Sequence, residues 1–148
     1  MRSNGEASGP TDGHPDLAME FVLRDLPAVR RAIGSFALDA GLSASRTDEL
    51  VLAVNEITTN AVVHGRPPTS VRAWQTGREV VVEVTDTGVG FRDALVGRHL
   101  PPAESRSGRG LWLARQLCDS LEVSSDATGC TVTLRAGSAD LARSLTPA

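Results

Sequence analysis

NEITTNAVVHG, Asn55 to Gly65, sits in a segment of helical periodicity yet carries an acid and an amide beside its apolar stripe. Leu50, Val54, Ile57 and Ala61 recur at three- and four-residue spacing, the pattern of a helix laid on a core. Glu56 and Asn60 are four residues apart and stack on one face, a turn from each other. Polar groups at that margin are either solvated or turned toward a polar site. The helix is predicted to start near Ser45 or Thr47, where Thr47-Asp48-Glu49 supplies a cap and first-turn acids. It ends at Gly65-Arg66-Pro67-Pro68, since the residue before a proline is held out of helical conformation.

Working outward, Met19 to Leu23 reads as a short strand. A first helix begins at Pro27, placed as a first-turn proline, with Val29, Ile33, Phe36 and Ala37 at helical spacing and Gly41 as its stop. After the central helix come two Val- and Trp-rich strands, roughly 69–75 and 79–85, turning near Thr76-Gly77. Residues 86–110 hold five glycines and two prolines, a connection long enough to suggest a functional lid. LWLARQLCDSL is a third helix, with Leu111, Leu113, Ala114, Leu117, Cys118 and Leu121 on its apolar side. EVSSDATGCTVTLRA is a closing hairpin that turns near Gly129, and SADLARSLTPA is a weak terminal helix or tail. The expected organisation is a tail over 1–16, one domain over 17–136 and a second tail over 137–148. The fold class is α+β, a two-layer sandwich with helices on one face of a mixed, mostly antiparallel sheet. The βαβ alternation of a dinucleotide fold is missing.

Composition narrows the function. The 148 residues suffice for one unstapled core. A net charge of −3 argues against a nucleic-acid partner. No stretch approaches a membrane span and the N-terminus lacks a signal-peptide pattern, so a soluble, cytoplasmic protein is expected. Cys118 and Cys130 have no metal-ligand spacing and read as reduced thiols. All 15 basic residues are arginine, so no P-loop lysine exists, and GxxxxGK[ST] is absent.

Three spots interrupt the plain pattern: Glu56 with Asn60, DTGVG (Asp86–Gly90) at a strand end, and SGRGL (Ser107–Leu111) at a helix start. Singly, each has an ordinary reading, as a surface acid, a turn or loop slack. Together they make a nucleotide site. Gly108 and Gly110 let backbone approach an oxyanion at the helix N-terminus. Asp86 can accept from an exocyclic amine such as that of adenine, with Gly88 and Gly90 clearing space for a flat ring. Asn60 offers a neutral oxygen to Mg2+ bridging phosphates. Glu56 can polarise a hydroxyl or water attacking the terminal phosphate. Arg98, Arg106 and Arg109 are the candidate phosphate cations.

NEITTN, DTGVG and SGRGL, in this order, resemble the N box and two glycine boxes of the GHKL ATPase superfamily, which includes gyrase, histidine kinases and MutL. Within it the chain is most similar to the short stand-alone anti-sigma-factor serine kinases, especially actinobacterial ATP-binding proteins of that type. The match runs from about Phe21 to Arg135. The resemblance implies the Bergerat fold, with ATP and Mg2+ held between helices and sheet under a lid. It implies Asn60 as the Mg2+ ligand, Glu56 as the catalytic base or hydroxyl-orienting group, and Asp86 as the reader of the adenine amine beside Gly88 and Gly90. Gly108, Arg109, Gly110 and Leu111 would line the phosphate end. Thr131 matches a threonine that supports the aspartate, and His64 either edges the site or serves only the helix dipole.

The fold alone does not say what the ATP is for. A sensor histidine kinase would need an upstream dimerisation helix and a gyrase or MutL type a transducer domain; neither is expected here. The leading expectation is a serine/threonine kinase that phosphorylates a STAS-type anti-sigma-factor antagonist and also binds a sigma factor, with a homodimer implied by the resemblance. The alternative is a nucleotide-gated partner switch that transfers no phosphate; a third is a relic with an empty site. The presence of Glu56 favours the first.

Overall fold

The computed structural model of the chain describes residues 9–10, 13–88 and 109–137. The expectations for Gly90, Gly108, Arg98, Arg106, the lid and most of both tails lie outside these residues. Five strands and three α-helices follow one another as β1 (Leu17–Phe21), α1 (Leu26–Asp39), α2 (Ala44–His64), β2 (Thr69–Thr76), β3 (Glu79–Asp86), α3 (Arg109–Leu117), β4 (Ser120–Asp126) and β5 (Gly129–Gly137). The strands form one sheet in the order β1-β2-β3-β5-β4. All four pairings are antiparallel, so the mixed sheet allowed by the sequence resolves to a purely antiparallel one.

Strand alternation assigns the two faces. Val80, Val82 and Val84 of β3 point to the helices with Val71 and Ala73 of β2 and Val132, Leu134 and Ala136 of β5, and all are buried. The helices answer with Val29, Ile33 and Ala37 of α1, Leu50, Ala53, Val54, Ile57 and Ala61 of α2, and Leu111 and Ala114 of α3. This single core, poor in aromatic residues, is filled by branched aliphatic and alanine side chains. The other sheet face carries polar pairs such as Arg72 Nε donating to Glu83 Oε1 at 2.9 Å.

The elements start and stop for local reasons, several displaced from expectation. β1 begins and ends two residues earlier than predicted, because Asp25 Oδ2 accepts from the Val22 N–H at 2.9 Å and folds Leu23–Asp25 into a 3-10 turn. Gly41 follows α1 at a φ of 103°, as its reading as a stop required. The N-cap of α2 is Ser43, whose side chain accepts from the Arg46 N–H at 3.1 Å. Thr47, expected as part of the cap, is instead a buried position inside the helix. α3 ends at Leu117, four residues short of its predicted end. Leu121 belongs to β4, paired with Leu134, although its burial mimics one more helical turn. The break at Cys118–Asp119 is fixed by Asp119, whose N–H donates to Arg135 O and whose carboxylate accepts from Arg46 at 2.6 Å and from the Gly137 N–H at 2.7 Å.

Candidate functional site: a nucleotide cleft between helix and sheet

A cleft open to solvent, about 430 Å³ with that solvent space included, lies between the last turns of α2 and the adjoining ends of β3 and β5. Its helix side is lined by Ile57, Asn60, Ala61, His64 and Gly65, its sheet side by Val84, Asp86, Cys130 and Val132. Both sets follow from periodicity. The α2 residues are three and four apart on one stripe. Val84 and Asp86 alternate along β3 and stand directly beside Val132 and Cys130 in register. Ile57, Ala61, Val84 and Val132 make apolar walls, suited to the faces of a flat ring.

Asp86 is the carboxylate in this lining and is only 8% exposed. Its Oδ1 accepts from the Gly88 N–H at 2.7 Å and from the Arg66 N–H at 3.3 Å. Among the described hydrogen bonds none reaches Oδ2, which leaves that oxygen as an acceptor for an N–H brought into the cleft. Glycines crowd this residue. A Cβ on Gly65 would fall 2.5 Å from Asp86 Cγ, and one on Gly129 would fall 2.4 Å from the Asp86 carbonyl oxygen. The sequence reading missed Gly65 and Arg66 as site residues and assigned Gly65 only to ending the helix. The signal was local: a glycine and a backbone donor directly after the stripe that carries Asn60.

The polar pair that opened the sequence reading divides between two places. Asn60 lines the cleft. Glu56, one turn earlier and half-buried, turns to the first turn of α3: a Cβ on Gly110 would lie 2.5 Å from Glu56 Oε1. The positive end of a helix favours a carboxylate there. Arg109 is exposed at the start of the same helix. Leu111 is fully buried in the core, so only its backbone N–H, one of the first four of α3, is of use to a ligand. His64 lines the cleft and is also the basic residue in the last turn of α2, so both readings given for it fit its place.

Thr131 does not join this group. One residue along β5 from Cys130, it points to the opposite sheet face, where its hydroxyl meets that of Thr85 at 3.3 Å. Strand alternation gives the position beside Asp86 to Cys130, which corrects the placement of Thr131 at the aspartate. Among the described residues no group of three or more His, Cys, Asp or Glu side chains is disposed to hold a metal ion. An amide oxygen such as that of Asn60, which lines the cleft, suits a cation shared with ligand phosphates and water.

An apolar cleft with one buried carboxylate, set between a helix and the ends of two antiparallel strands, defines the class: a two-layer α/β domain with a small-ligand cleft between its layers. Residues 19–136 match the family described as histidine kinase-like ATPase domain, and the chain belongs to that family. Membership implies ATP binding. Among curated relatives, an anti-sigma F factor of Thermoanaerobacter sp. (strain X514) is 26% identical over 106 residues, covering 65% of this chain and 73% of the relative. The anti-sigma F factor of Clostridium acetobutylicum is 27% identical over 107 residues, covering 66% and 73%. The RsbU and RsbW domains of a Mycobacterium tuberculosis protein superimpose with a TM-score of 0.59 at 20% identity, over 83% of this chain and 33% of that one. The mycobacterial sensor histidine kinase MprB gives 0.53 at 19% identity, over 82% and 96%. At these identities the solved structures speak for the fold. The chain spans a third of the first of them.

Proposed function

We propose that the protein is an ATP-dependent serine/threonine kinase of the anti-sigma-factor type, which transfers the γ-phosphate of ATP to a serine of a STAS-type antagonist and also binds a sigma factor. The observation that carries this reading is the division of labour along α2. Asn60 stands in the cleft with Asp86, and Glu56 stands one turn away against the start of α3. A nucleotide with its base at Asp86 and its phosphates toward the first turn of α3 would run along this line. Relatives that bear the name anti-sigma F factor supply the class of partner.

In the mechanism that follows, Asp86 Oδ2 accepts from the adenine amine while Ile57, Ala61, Val84 and Val132 pack on the ring. Backbone N–H groups of the first turn of α3 meet phosphate oxygens, aided by the helix dipole. Asn60 would hold Mg2+, which when bound neutralises phosphate charge. Glu56 accepts the proton of the attacking serine hydroxyl, a step in which a positioned base contributes about 10²–10⁴-fold. The test is incubation with ATP, Mg2+ and a STAS-domain partner, reading phosphoserine by mass spectrometry. Glu56→Gln should lower transfer by about 10²–10⁴-fold while ATP affinity stays within a few-fold. Undiminished transfer in that variant removes Glu56 from the chemistry, and ATP binding without any transfer by the unaltered protein favours the phosphate-free partner switch.

A further inference from the structure

We propose that Gly65 is a positioning residue for base selectivity: its missing side chain lets the Asp86 carboxylate seat Oδ1 on two backbone donors and present Oδ2 to the amino group of the base. This deepens the nucleotide reading above and rests on it.

The contact leaves no slack. A Cβ at residue 65 would meet Asp86 Cγ at 2.5 Å, Asp86 Oδ1 at 2.6 Å and Ala61 O at 2.5 Å. Ala61 O is backbone, and it accepts the Gly65 N–H that closes α2 at 3.0 Å. The carboxylate borders the cleft, so the room it has to retreat into lies away from the two N–H groups that hold Oδ1. A side chain at 65 therefore either pries the carboxylate from its donors or unwinds the last turn of the helix. Gly88, whose Cβ would stand 3.0 Å from Oδ1, approaches the carboxylate from the turn after β3.

The strap that follows Gly65 is held in place from β3. Thr87 donates from its N–H to Arg66 O at 3.0 Å and from its hydroxyl to Pro67 O at 2.8 Å. With residues 66 and 67 so fixed, the Arg66 N–H stays aimed at Asp86 Oδ1. The chemical consequence is selectivity. An ionised carboxylate accepts and never donates, and here one oxygen is already engaged by N–H donors. What remains suits a 6-amino purine; in inosine or guanine a 6-oxo group takes the place of that donor, and the ring must shift to bring its N1–H to Oδ2. A hydrogen bond to a charged, desolvated group discriminates by roughly 10- to 100-fold.

The experiment is calorimetric binding of ATP and of inosine triphosphate, each with Mg2+, to the full chain, to Gly65→Ala and to Thr87→Val. The unaltered protein should prefer ATP by about 10- to 100-fold. Gly65→Ala should lose about tenfold in ATP affinity while inosine triphosphate binding stays within about twofold, collapsing the preference. Thr87→Val, an exposed change that keeps the backbone contacts, should reduce the preference by a few-fold in the same direction. It decides alone if Gly65→Ala does not fold. A role confined to structure would weaken both nucleotides together, and that parallel loss, or a preference unchanged in both variants, overturns the proposal. Equal binding of the two nucleotides by the unaltered protein overturns it while leaving phosphotransfer standing. Binding of neither removes the nucleotide reading itself, and this inference with it.

Discussion

A carboxylate in an apolar cleft is costly unless hydrogen bonds hold its charge, and among the described residues Asp86 has such bonds on one oxygen only. That asymmetry makes Asp86→Asn an informative change. The amide is nearly isosteric, but if its oxygen keeps the two backbone donors, its NH2 faces the incoming amine of adenine. ATP affinity should fall about 10- to 100-fold, the value of a charge-assisted hydrogen bond, with little loss of folded stability. Titration calorimetry reads it, and an affinity within twofold of the original would show that Asp86 does not read the base. At this scale the sequence exposed the groups whose chemistry is unusual for their place. Asn60 and Asp86, 26 positions apart, share one cleft as their motifs suggested. What it hid was orientation. Thr131 and Cys130 are neighbours in the chain, and only the register Asp86↔Cys130 decides which of them faces the aspartate. A glycine such as Gly65, whose role is to be absent, carries no chemical mark in the sequence either.

Between elements, the junction of α3 and β4 was the least legible part of the fold. Leu117, Cys118 and Leu121 continue an apolar spacing that a helix and a helix-plus-strand satisfy equally well, and the tie at Asp119 comes from Arg46, 73 positions away. The hairpins and α2 read clearly because their period and their turn residues agree. The same junction leaves a measurable trace at Cys118. Its thiol donates to Ala114 O and Ser120 O, and burial, with the Asp119 charge adding, pushes it from an ordinary 9.0 up to about 11. The sign follows from linkage. Between about pH 9 and pH 11 the unfolded chain gives up a proton that the folded chain retains, so this contribution to stability is intact below pH 9 and lost as pH rises through that window. With no tyrosine and no lysine in the sequence, cysteines are the non-arginine side chains that titrate there. Urea unfolding at pH 8 and pH 10.5 should show a steeper alkaline loss for the unaltered protein than for Cys118→Ala. Equal slopes would place the thiol in a wetter environment than its 8% exposure indicates.

At the scale of the whole molecule, the cleft is a seam between the layers. α2 contributes one wall, and β3, the central strand, contributes the other with β5, so a ligand there touches helix and sheet at once. Binding to the folded state alone must then stabilise the entire two-layer unit. Mg2+ and ATP at 100 times the dissociation constant should add about 2.7 kcal/mol. For a domain of this size that raises the melting temperature by roughly 8–10 °C. GTP at the same concentration should give a smaller shift, because its 6-oxo group stands where ATP offers the amine to Asp86, and the ring must shift to bring N1–H there. Differential scanning calorimetry distinguishes this from a general salt effect, which would move both nucleotides alike through ionic strength. Hydrogen exchange should find the added protection in the last turns of α2, around Ala61 to Gly65, and at the ends of β3 and β5. Protection confined to α3 would instead mean that phosphate contacts alone hold the ligand, and the apolar cleft would need another occupant.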